Sequence, residues 1–441
     1  MAEAEKKQRF DLSLALTERL HRLIPGGAHS YAKGDDQYPV DTLPILVRGQ
    51  GCRVWDADGN EFVEYGMGLR TVALGHAFRP VSEAAARQIQ LGSNFSRPSV
   101  LELKSAEALV HLVGGDMVKF AKNGSDVMNA ALRLARAYTG RDRVAVCADH
   151  PFFSTGDWFI GTTPMDAGVP RAVAGLTLQF RYNDLASLEA VFDEHPGEIA
   201  AVVLEAETRT IPEPGFLESV IELGRRRGAL IILDEMITGF RWHNGGARAF
   251  HQIDPDLVAY GKALGNGFAV SALVGRREIM ELGGLHHSRP RVFLLSNTHG
   301  AEGPSLAAAC EVIRIYQEQP VVETLWRQGQ RLADGVRRVV TSAGLDGYFD
   351  VVGRPCHLVY VARDAEHQPS QAFRTLFLRE TLRRGLLMPS MVVSYAHDDA
   401  AIDSTIERVG EALTIYKRAL EDGVERFLPG RPSQPVMRRF N

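Results

Sequence analysis

Residues 229–241, ALIILDEMITGFR, and residues 256–268, DLVAYGKALGNGF, decide the fold of this 441-residue chain. Each stretch contains an apolar run with the length and composition of a buried β-strand. In open α/β sheets, ligands bind beyond the carboxyl ends of the strands. The sequence therefore predicts that Asp234, which follows the first run, and Lys262, which follows the second, face a bound ligand.

The chain around these two stretches alternates apolar strands with helical segments from about residue 75 to about residue 310. Such alternation predicts an α/β fold built on a mainly parallel sheet that is covered by helices. Before it lie a helix, a glycine-rich turn and a hairpin signal at Asp58-Gly59. We therefore expect three parts: an N-terminal arm with a small antiparallel unit (1–74), a large ligand-binding domain (75–320) and a smaller α+β domain (321–441).

Composition narrows the classes of function. The formal net charge is −4 and no basic tail is present, which argues against nucleic acid or anionic lipid as a partner. The sequence shows no secretory signal and no apolar run of membrane-spanning length, so we expect a cytoplasmic enzyme that acts on small molecules. The four cysteines lie far apart with no CxxC pair, and no metal site is predicted.

Lysine is scarce in this chain, and Lys262 is one of only eight. A lysine at a strand end can act as an amine nucleophile and form a Schiff base with an aldehyde cofactor. Pyridoxal phosphate (PLP) needs such a lysine together with an acid beneath its pyridine nitrogen, where the carboxylate keeps the ring protonated and makes it an electron sink. Lys262 and Asp234 match these two roles. Either residue alone is more often a solvated or capping side chain, so the prediction depends on the pair.

A third motif, Lys122-Asn123-Gly124-Ser125-Asp126, lies between an apolar strand and a helix. Backbone amides at a helix N-terminus, a glycine that permits close approach and a serine hydroxyl together form a phosphate cradle. The same residues also fit an ordinary helix N-cap, and taken alone the motif favours that interpretation. Together with the other two motifs, it predicts a site for the phosphate of the cofactor.

Four motifs in this order, NGSDV, LDEMITGFR, GKALGNGF and SNTHGAEGPSLAAA, resemble those of class III PLP-dependent aminotransferases of fold type I. IPGGAHS near the start, with LLMPS and SYAHDDAAID near the end, resembles glutamate-1-semialdehyde aminomutase and its relatives among sugar and aminoglycoside aminotransferases. The resemblance covers nearly the whole chain. It implies a large domain with a seven-stranded, mainly parallel sheet, a smaller α+β domain, and a homodimer with active sites at the subunit interface.

The resemblance also assigns roles to individual residues. Lys262 would carry the cofactor and shuttle the proton, and Asp234 would pair with the pyridine nitrogen. Gly124 and Ser125 would bind the phosphate, and Thr298 would reach the phosphate of the neighbouring subunit.

Two further roles concern the faces of the cofactor ring. Met236 would press on one face, where relatives often carry valine. An aromatic residue would stack on the other face, and we assign this role to Phe152, although the adjacent Phe153 could take it. Two adjacent phenylalanines are more often core residues than cofactor contacts.

Substrate recognition is predicted from the N-terminal arm. The aminomutases that the chain resembles bind the substrate carboxylate through an arginine in this arm, and Lys33 stands where we place that arginine. The bidentate fork is thereby lost, and Asp35 and Asp36 follow shortly after. We therefore expect a polyhydroxylated or cationic substrate, such as the 6′-aldehyde of an aminoglycoside. Further candidate pocket residues are Ser30, Tyr31, Arg70, Glu205, Glu207 and Arg241.

Three other functions fit the same motifs. An intramolecular 2,1-aminomutase would need no external amino donor, whereas an aminotransferase would. An epimerase of an amino sugar would need a second acid, which His29, Tyr31 or Lys33 could supply. A noncatalytic protein that binds PLP or another ligand is disfavoured, because Lys262 and Asp234 are retained together with the phosphate loop.

Overall fold

The structure, a computed structural model, describes residues 8–440. Its strands are β1 (Leu46–Gln50), β2 (Arg53–Asp56), β3 (Glu61–Glu64), β4 (Met117–Ala121), β5 (Arg143–Cys147), β6 (Thr177–Phe180), β7 (Ile199–Leu204), β8 (Leu230–Glu235), β9 (Leu257–Tyr260), β10 (Ser271–Gly275), β11 (Phe349–Val352), β12 (Val359–Ala362) and β13 (Leu386–Leu387). Its longer helices are α1 (Asp11–Leu23), α2 (Arg79–Leu91), α3 (Val100–Val113), α4 (Gly124–Thr139), α5 (Leu185–Glu194), α6 (Phe216–Arg227), α7 (Gly303–Glu318), α8 (Val321–Ala343), α9 (Gln371–Arg383) and α10 (Asp399–Asp422).

The chain divides into two compact units. The first comprises residues up to Leu69 with Ala73–Phe78 and Glu323–Arg438, and the second comprises Arg70–Val72, Arg79–Val322 and the chain end from Arg439. The first unit thus joins most of the predicted N-terminal arm (1–74) with most of the predicted C-terminal part (321–441). Strand pairing accounts for this grouping, because β13 adds to β3 in parallel, with Leu386 opposite Val63.

A seven-stranded sheet lies at the centre of the second unit, in the order β4-β10-β9-β8-β7-β5-β6. The pairs β5–β6, β5–β7, β7–β8 and β8–β9 are parallel, and β10 runs antiparallel to both β4 and β9. This confirms the predicted α/β fold with a mainly parallel sheet. Every residue of β7 and β8 is buried, which explains why both strands read as continuous apolar runs.

Helix α4 packs against this sheet and begins in the predicted phosphate loop. Its N-cap is Asn123, whose side-chain oxygen accepts the backbone N–H of Asp126 at 2.9 Å. The helix buries a face that includes Val127, Ala131 and Leu134. This apolar face holds the helix on the sheet and so fixes the position of its N-terminus.

The first unit contains a four-stranded sheet in the order β1-β2-β3-β13 and the separate antiparallel pair β11–β12. Gly59 in the turn between β2 and β3 has a φ of 80°, the left-handed conformation that the predicted hairpin turn favours. Within residues 8–440, no helix has the length and apolarity needed to cross a membrane. The same residues contain no group of three or more histidine, cysteine, aspartate or glutamate side chains placed to hold a metal ion.

Candidate active site

The two strands that the sequence singled out end side by side. β8 and β9 are parallel neighbours, with Asp234 opposite Ala259. Asp234 is 4% exposed, and its Oδ1 accepts the backbone N–H of Met236 at 2.8 Å. Lys262 begins a short 3₁₀ turn just after β9, with a φ of 45°. A positive φ on a non-glycine residue is costly and concentrates at functional sites, where it fixes the direction of a side chain.

Lys262 lies in a buried network of charged groups. Burial lowers the pKa of Lys262, and the negative charges of Asp234 and Glu205 oppose that shift. A lowered pKa leaves more of the amine neutral, and therefore nucleophilic, at a given pH. Burial raises the pKa of Asp234 to about 6, while the charge of Lys262 acts in the opposite direction. The predicted nucleophile and the predicted ring acid therefore share one site.

Glu205 and Arg70 belong to the same network. Burial, followed by the charge of Asp234, raises the pKa of Glu205 to about 8. Burial, followed by the charge of Arg241, lowers the pKa of Arg70 to about 10, and Glu205 opposes this shift. Arg241 is fully buried, and its Nη2 donates to the carbonyl oxygen of Arg70 at 3.2 Å. Arg70 and Glu205, predicted as pocket residues, are thus brought together with Lys262.

The buried acid Glu205 gives the PLP-free protein a pH-dependent stability. Its pKa is about 8 in the folded protein, compared with an ordinary value of 4.5, so folding takes up a proton between these values. Stability therefore falls as the pH rises through that range. We expect Glu205→Gln to be more stable than the wild type at pH 8, with a free energy of unfolding at least about 1 kcal/mol higher. At pH 5, the free energies of unfolding of the two proteins should differ much less. Urea unfolding of both PLP-free proteins at the two pH values measures this; parallel pH dependence would contradict it.

Glu235, the second acid of the LDE motif, has a structural role. Its two carboxylate oxygens accept the backbone N–H groups of Ala247 at 2.8 Å and Arg248 at 2.6 Å. Successive side chains of a strand point to opposite faces of the sheet. Asp234 therefore belongs to the charged network, whereas its neighbour Glu235 caps the short helix that begins at Ala247.

The predicted phosphate loop lies beside Met236. A Cβ at Gly124 would lie 3.0 Å from the Met236 Sδ, and one at Gly261, the residue before the lysine, would lie 2.5 Å from the same atom. Met236 therefore packs between the two ends of the predicted cofactor site. Ser125 Oγ accepts the backbone N–H of Thr155 at 2.9 Å, which leaves its hydroxyl hydrogen available for a phosphate oxygen. The residues present thus fit PLP.

The two candidate stacking residues, Phe152 and Phe153, differ in how deeply they are buried. Phe153 is 2% exposed and belongs to the hydrophobic core of the second unit. Phe152 is 45% exposed, and its ring makes an edge-to-face contact with that of Phe159 at a centroid distance of 5.6 Å. Phe152 is therefore the more accessible residue of the pair, and it stays our predicted stacking residue.

Thr298 lies exposed in the loop that precedes α7. Its carbonyl oxygen accepts a hydrogen bond from Asn94 Nδ2 at 3.0 Å. The neighbouring Asn297 donates through Nδ2 to Asp126 Oδ2 at 2.9 Å, which ties this loop to the start of α4. The predicted contact of Thr298 with the cofactor of a neighbouring subunit stays a prediction.

The predicted residues of the N-terminal arm belong to the first unit. Ser30 precedes a 3₁₀ turn that contains Tyr31 and Lys33, and Tyr31 is 62% exposed. The unit that contains Lys262 therefore holds none of these three residues, and their role at the substrate stays a prediction.

Sequence reasoning gave no role to His150. This residue is 3% exposed, and its Nδ1 accepts the backbone N–H of Glu205 at 3.0 Å. Burial lowers the pKa of His150 to about 4, so the ring stays neutral near pH 7. Its neutral Nδ1 can therefore hold the backbone of Glu205 in place. Glu207, a predicted pocket residue, is fully buried, and its Oε2 lies 3.0 Å from His251 Nε2. No local pattern distinguishes these residues from surface ones.

A strained turn also escaped prediction. Met67, Gly68, Leu69 and Arg70 all have left-handed backbone conformations, with φ values of 43°, 57°, 58° and 72°. Glycine adopts this conformation freely, but in each of the other three residues it costs about 1–2 kcal/mol. The turn ends at Arg70, so one residue of the charged network around Lys262 itself has a strained backbone conformation.

A lysine of lowered pKa, a buried acid on the neighbouring strand and a glycine-containing helix start are the groups that a PLP-dependent enzyme requires. The family model described as Aminotransferase class-III matches residues 35–354, and the chain belongs to this family of PLP-dependent transaminases. Its cofactor is PLP.

Relatives and solved structures agree with this family. Glutamate-1-semialdehyde 2,1-aminomutase of Desulfitobacterium hafniense is 32% identical over 425 residues, which cover 90% of this chain and 96% of the relative. The PLP internal aldimine form of the Sphingopyxis sp. MTA144 FumI protein has a TM-score of 0.85 at 27% identity, over 96% of this chain and 99% of that one. An omega-transaminase from Sphaerobacter thermophilus has a TM-score of 0.82 at 27% identity, over 91% and 97%.

Proposed function

We propose that this enzyme transfers an amino group from an amino donor to an aldehyde or ketone of a sugar or aminoglycoside, of the 6′-aldehyde type, in natural-product biosynthesis. The observation that carries the proposal is a cavity of about 380 Å³ in the first unit. Its wall includes Lys33, at the position where we expect the carboxylate-binding arginine of the aminomutases, together with Asp35, Tyr38 and Glu64. Cavities of this size accommodate small molecules.

The wall of this cavity suits a hydroxylated ring that carries amino groups. Apolar side chains make up much of the wall and can pack against C–H faces; they include Leu20, Leu43, Pro44, Leu46, Leu69 and Pro389. Glu64 Oε2 lies 2.5 Å from His76 Nε2, and Asp35 Oδ1 lies 2.9 Å from His21 Nε2. Carboxylates held in this way accept hydrogen bonds from hydroxyl and ammonium groups. Among the described residues of the wall there is no arginine, so none provides a guanidinium group for two parallel hydrogen bonds to a substrate carboxylate.

Only one member of the predicted acidic pair supports this proposal. Asp35 lines the cavity, whereas Asp36 does not, and the Asp36 carboxylate is bound to Arg438 Nη1 at 2.7 Å. The pair therefore contributes one carboxylate to the cavity.

PLP, when bound, supplies an electron sink for negative charge on the substrate carbon. Lys262 Nζ is the group that moves a proton at this carbon, because burial lowers its pKa and leaves part of the amine neutral. The Asp234 carboxylate, oriented by the Met236 N–H, would hold the pyridine nitrogen. Gly124 and Ser125 would bind the phosphate at the start of α4.

A second candidate function is a 2,1-aminomutase of the glutamate-1-semialdehyde type. The relatives that are 32% identical over 90% of this chain carry this name, and Lys262 and Asp234 would serve either reaction. An aminomutase must hold a substrate carboxylate, and Arg70 provides a guanidinium in the network of Lys262. The two reactions differ in their need for an external amino donor.

We also propose a homodimer and a cytoplasmic location. The homodimer is what the resemblance implies through the role of Thr298, and the location is the expectation drawn from the sequence.

The experiment compares amino acceptors. We expect kcat/KM for 6′-oxo aminoglycosides or related sugar aldehydes, measured with a panel of amino donors, to exceed that for glutamate-1-semialdehyde by at least about 10-fold, which corresponds to about 1.4 kcal/mol. Lys33→Arg is the matched variant, and it should shift this ratio towards the semialdehyde. Conversion of the semialdehyde without added donor, faster than any sugar aldehyde, would defeat the proposal and favour the aminomutase.

A further inference from the structure

We infer that Lys122 and Asp126 are positioning residues that set the affinity for the phosphate of PLP, because they fasten the loop 297–302 to both sides of the phosphate loop 123–125. Neither residue is assigned to hold the phosphate itself. The inference rests on the assignment of the phosphate to the start of α4, which the experiment below tests separately.

Contacts on both sides of the phosphate loop form this clamp. On one side, Asn297 Nδ2 donates to Asp126 Oδ2 at 2.9 Å. On the other side, Lys122 Nζ lies 2.5 Å from Glu302 Oε1 and donates to Ser305 Oγ at 3.1 Å. The ammonium group of Lys122 is thus engaged by the residues at the start of α7. Both ends of the loop 297–302 are therefore anchored to residues that flank the phosphate loop.

The third contact of Lys122 joins the clamp to the segment that follows the catalytic lysine. Lys122 Nζ donates to the carbonyl oxygen of Ala269 at 3.0 Å, and Ser271 Oγ donates to the carbonyl oxygen of Asn123 at 2.8 Å. The phosphate loop is consequently bound from two directions. The ammonium group of Lys122 makes contacts in both directions, with the start of α7 and with Ala269.

The negative charge of Asp126 by itself opposes the binding of a phosphate at this site. A carboxylate in the first turn of a helix stabilises the helix but repels a phosphate bound at the same N-terminus. The Asp126 carboxylate accepts hydrogen bonds from Asn123 Nδ2 at 3.1 Å and from Asn297 Nδ2, so it joins the phosphate loop to the clamping loop. Glu302 is also ionised, because its hydrogen bond with Lys122 lowers its pKa. Two negative charges thus stand close to a site for an anion.

The test measures binding to the full-length protein after removal of PLP. Absorbance titrations compare PLP with pyridoxal, which lacks the phosphate, and inorganic phosphate serves as a competitor of PLP. We expect Asp126→Ala to weaken PLP binding about 10-fold, the effect of one lost charged hydrogen bond, and to leave pyridoxal binding unchanged. Asp126→Asn keeps an oxygen that can accept from Asn297 and removes the repulsive charge, so it should bind PLP at least as tightly as the wild type.

The other side of the clamp is tested by a double-mutant cycle. Lys122→Met and Glu302→Gln should each weaken PLP binding. The double variant should bind PLP no more weakly than the single variant with the lower affinity, because both substitutions remove the same contact. Additive losses would overturn the clamp, as would Asp126→Ala binding PLP more tightly than the wild type, the result expected from charge repulsion alone. Equal losses for PLP and pyridoxal would overturn the assignment to the phosphate. If Asp126→Ala does not fold, the cycle of Lys122→Met and Glu302→Gln decides the matter.

Discussion

Replacing Lys262 with alanine is expected to lower the rate of amino transfer by about 10⁴-fold or more, because we propose this side chain both as the nucleophile and as the group that moves the proton. The amine cannot be replaced by a neighbour, since the other charged side chains of the network are acids and guanidinium groups. The measurement is single-turnover amino transfer from a donor to the enzyme, followed by absorbance. Both half-reactions should fail, because each needs the same Nζ.

Lys104→Ala is the matched control for this prediction. Lys104 is exposed on α3, outside the Lys262 network, and its loss should leave the rate unchanged. Near-normal turnover in Lys262→Ala, with Lys104→Ala equally active, would show that another group carries the chemistry.

Replacing Asp234 with asparagine is expected to lower kcat by about 10²–10³-fold, the usual effect of removing a preorganised charge from an active site. A neutral amide cannot keep the pyridine nitrogen of the cofactor protonated, so the ring withdraws electrons less well. The fold should tolerate the change, because burial already raises the pKa of Asp234 to about 6 and the amide removes a buried charge. Steady-state kinetics and urea unfolding of the same preparations measure the two effects.

Glu235→Gln provides the contrast, because this acid is the next residue of the same buried strand. Its carboxylate accepts two backbone N–H groups, from Ala247 and Arg248, and the amide can replace only part of this pattern. We expect Glu235→Gln to lower the free energy of unfolding by about 1–3 kcal/mol and to change kcat less than Asp234→Asn does. A larger loss of kcat in Glu235→Gln than in Asp234→Asn would reverse the roles that we give to the two acids.

Several parts of the fold and site follow from local sequence. The continuous apolar runs of β7 and β8 predict buried parallel strands, and the residues at the carboxyl ends of β8 and β9 therefore fall at one edge of the sheet. For this reason the amino-acid sequence alone is enough to pair Asp234 with Lys262. Asn123 likewise carries an N-cap signal that is visible in the sequence.

Other features depend on contacts between distant segments. The pairing of β13 with β3 joins residues from opposite parts of the chain, and a two-residue strand has no periodicity to detect. Arg241 and Glu207 are charged residues outside any apolar run, and only the tertiary packing shows that both are fully buried. Phe152 and Phe153 have the same chemistry, so their difference in burial appears only once the sheet is packed.

We propose that this enzyme carries PLP covalently on Lys262. Borohydride treatment of the protein loaded with PLP fixes the cofactor to its lysine, and mass spectrometry of the digested chain then locates it. We predict a phosphopyridoxyl group on the peptide that contains Lys262 and unmodified peptides for Lys119 and Lys122, the lysines near the phosphate loop. A phosphopyridoxyl group on another lysine, or on none, would show that Lys262 is not the residue that binds the cofactor.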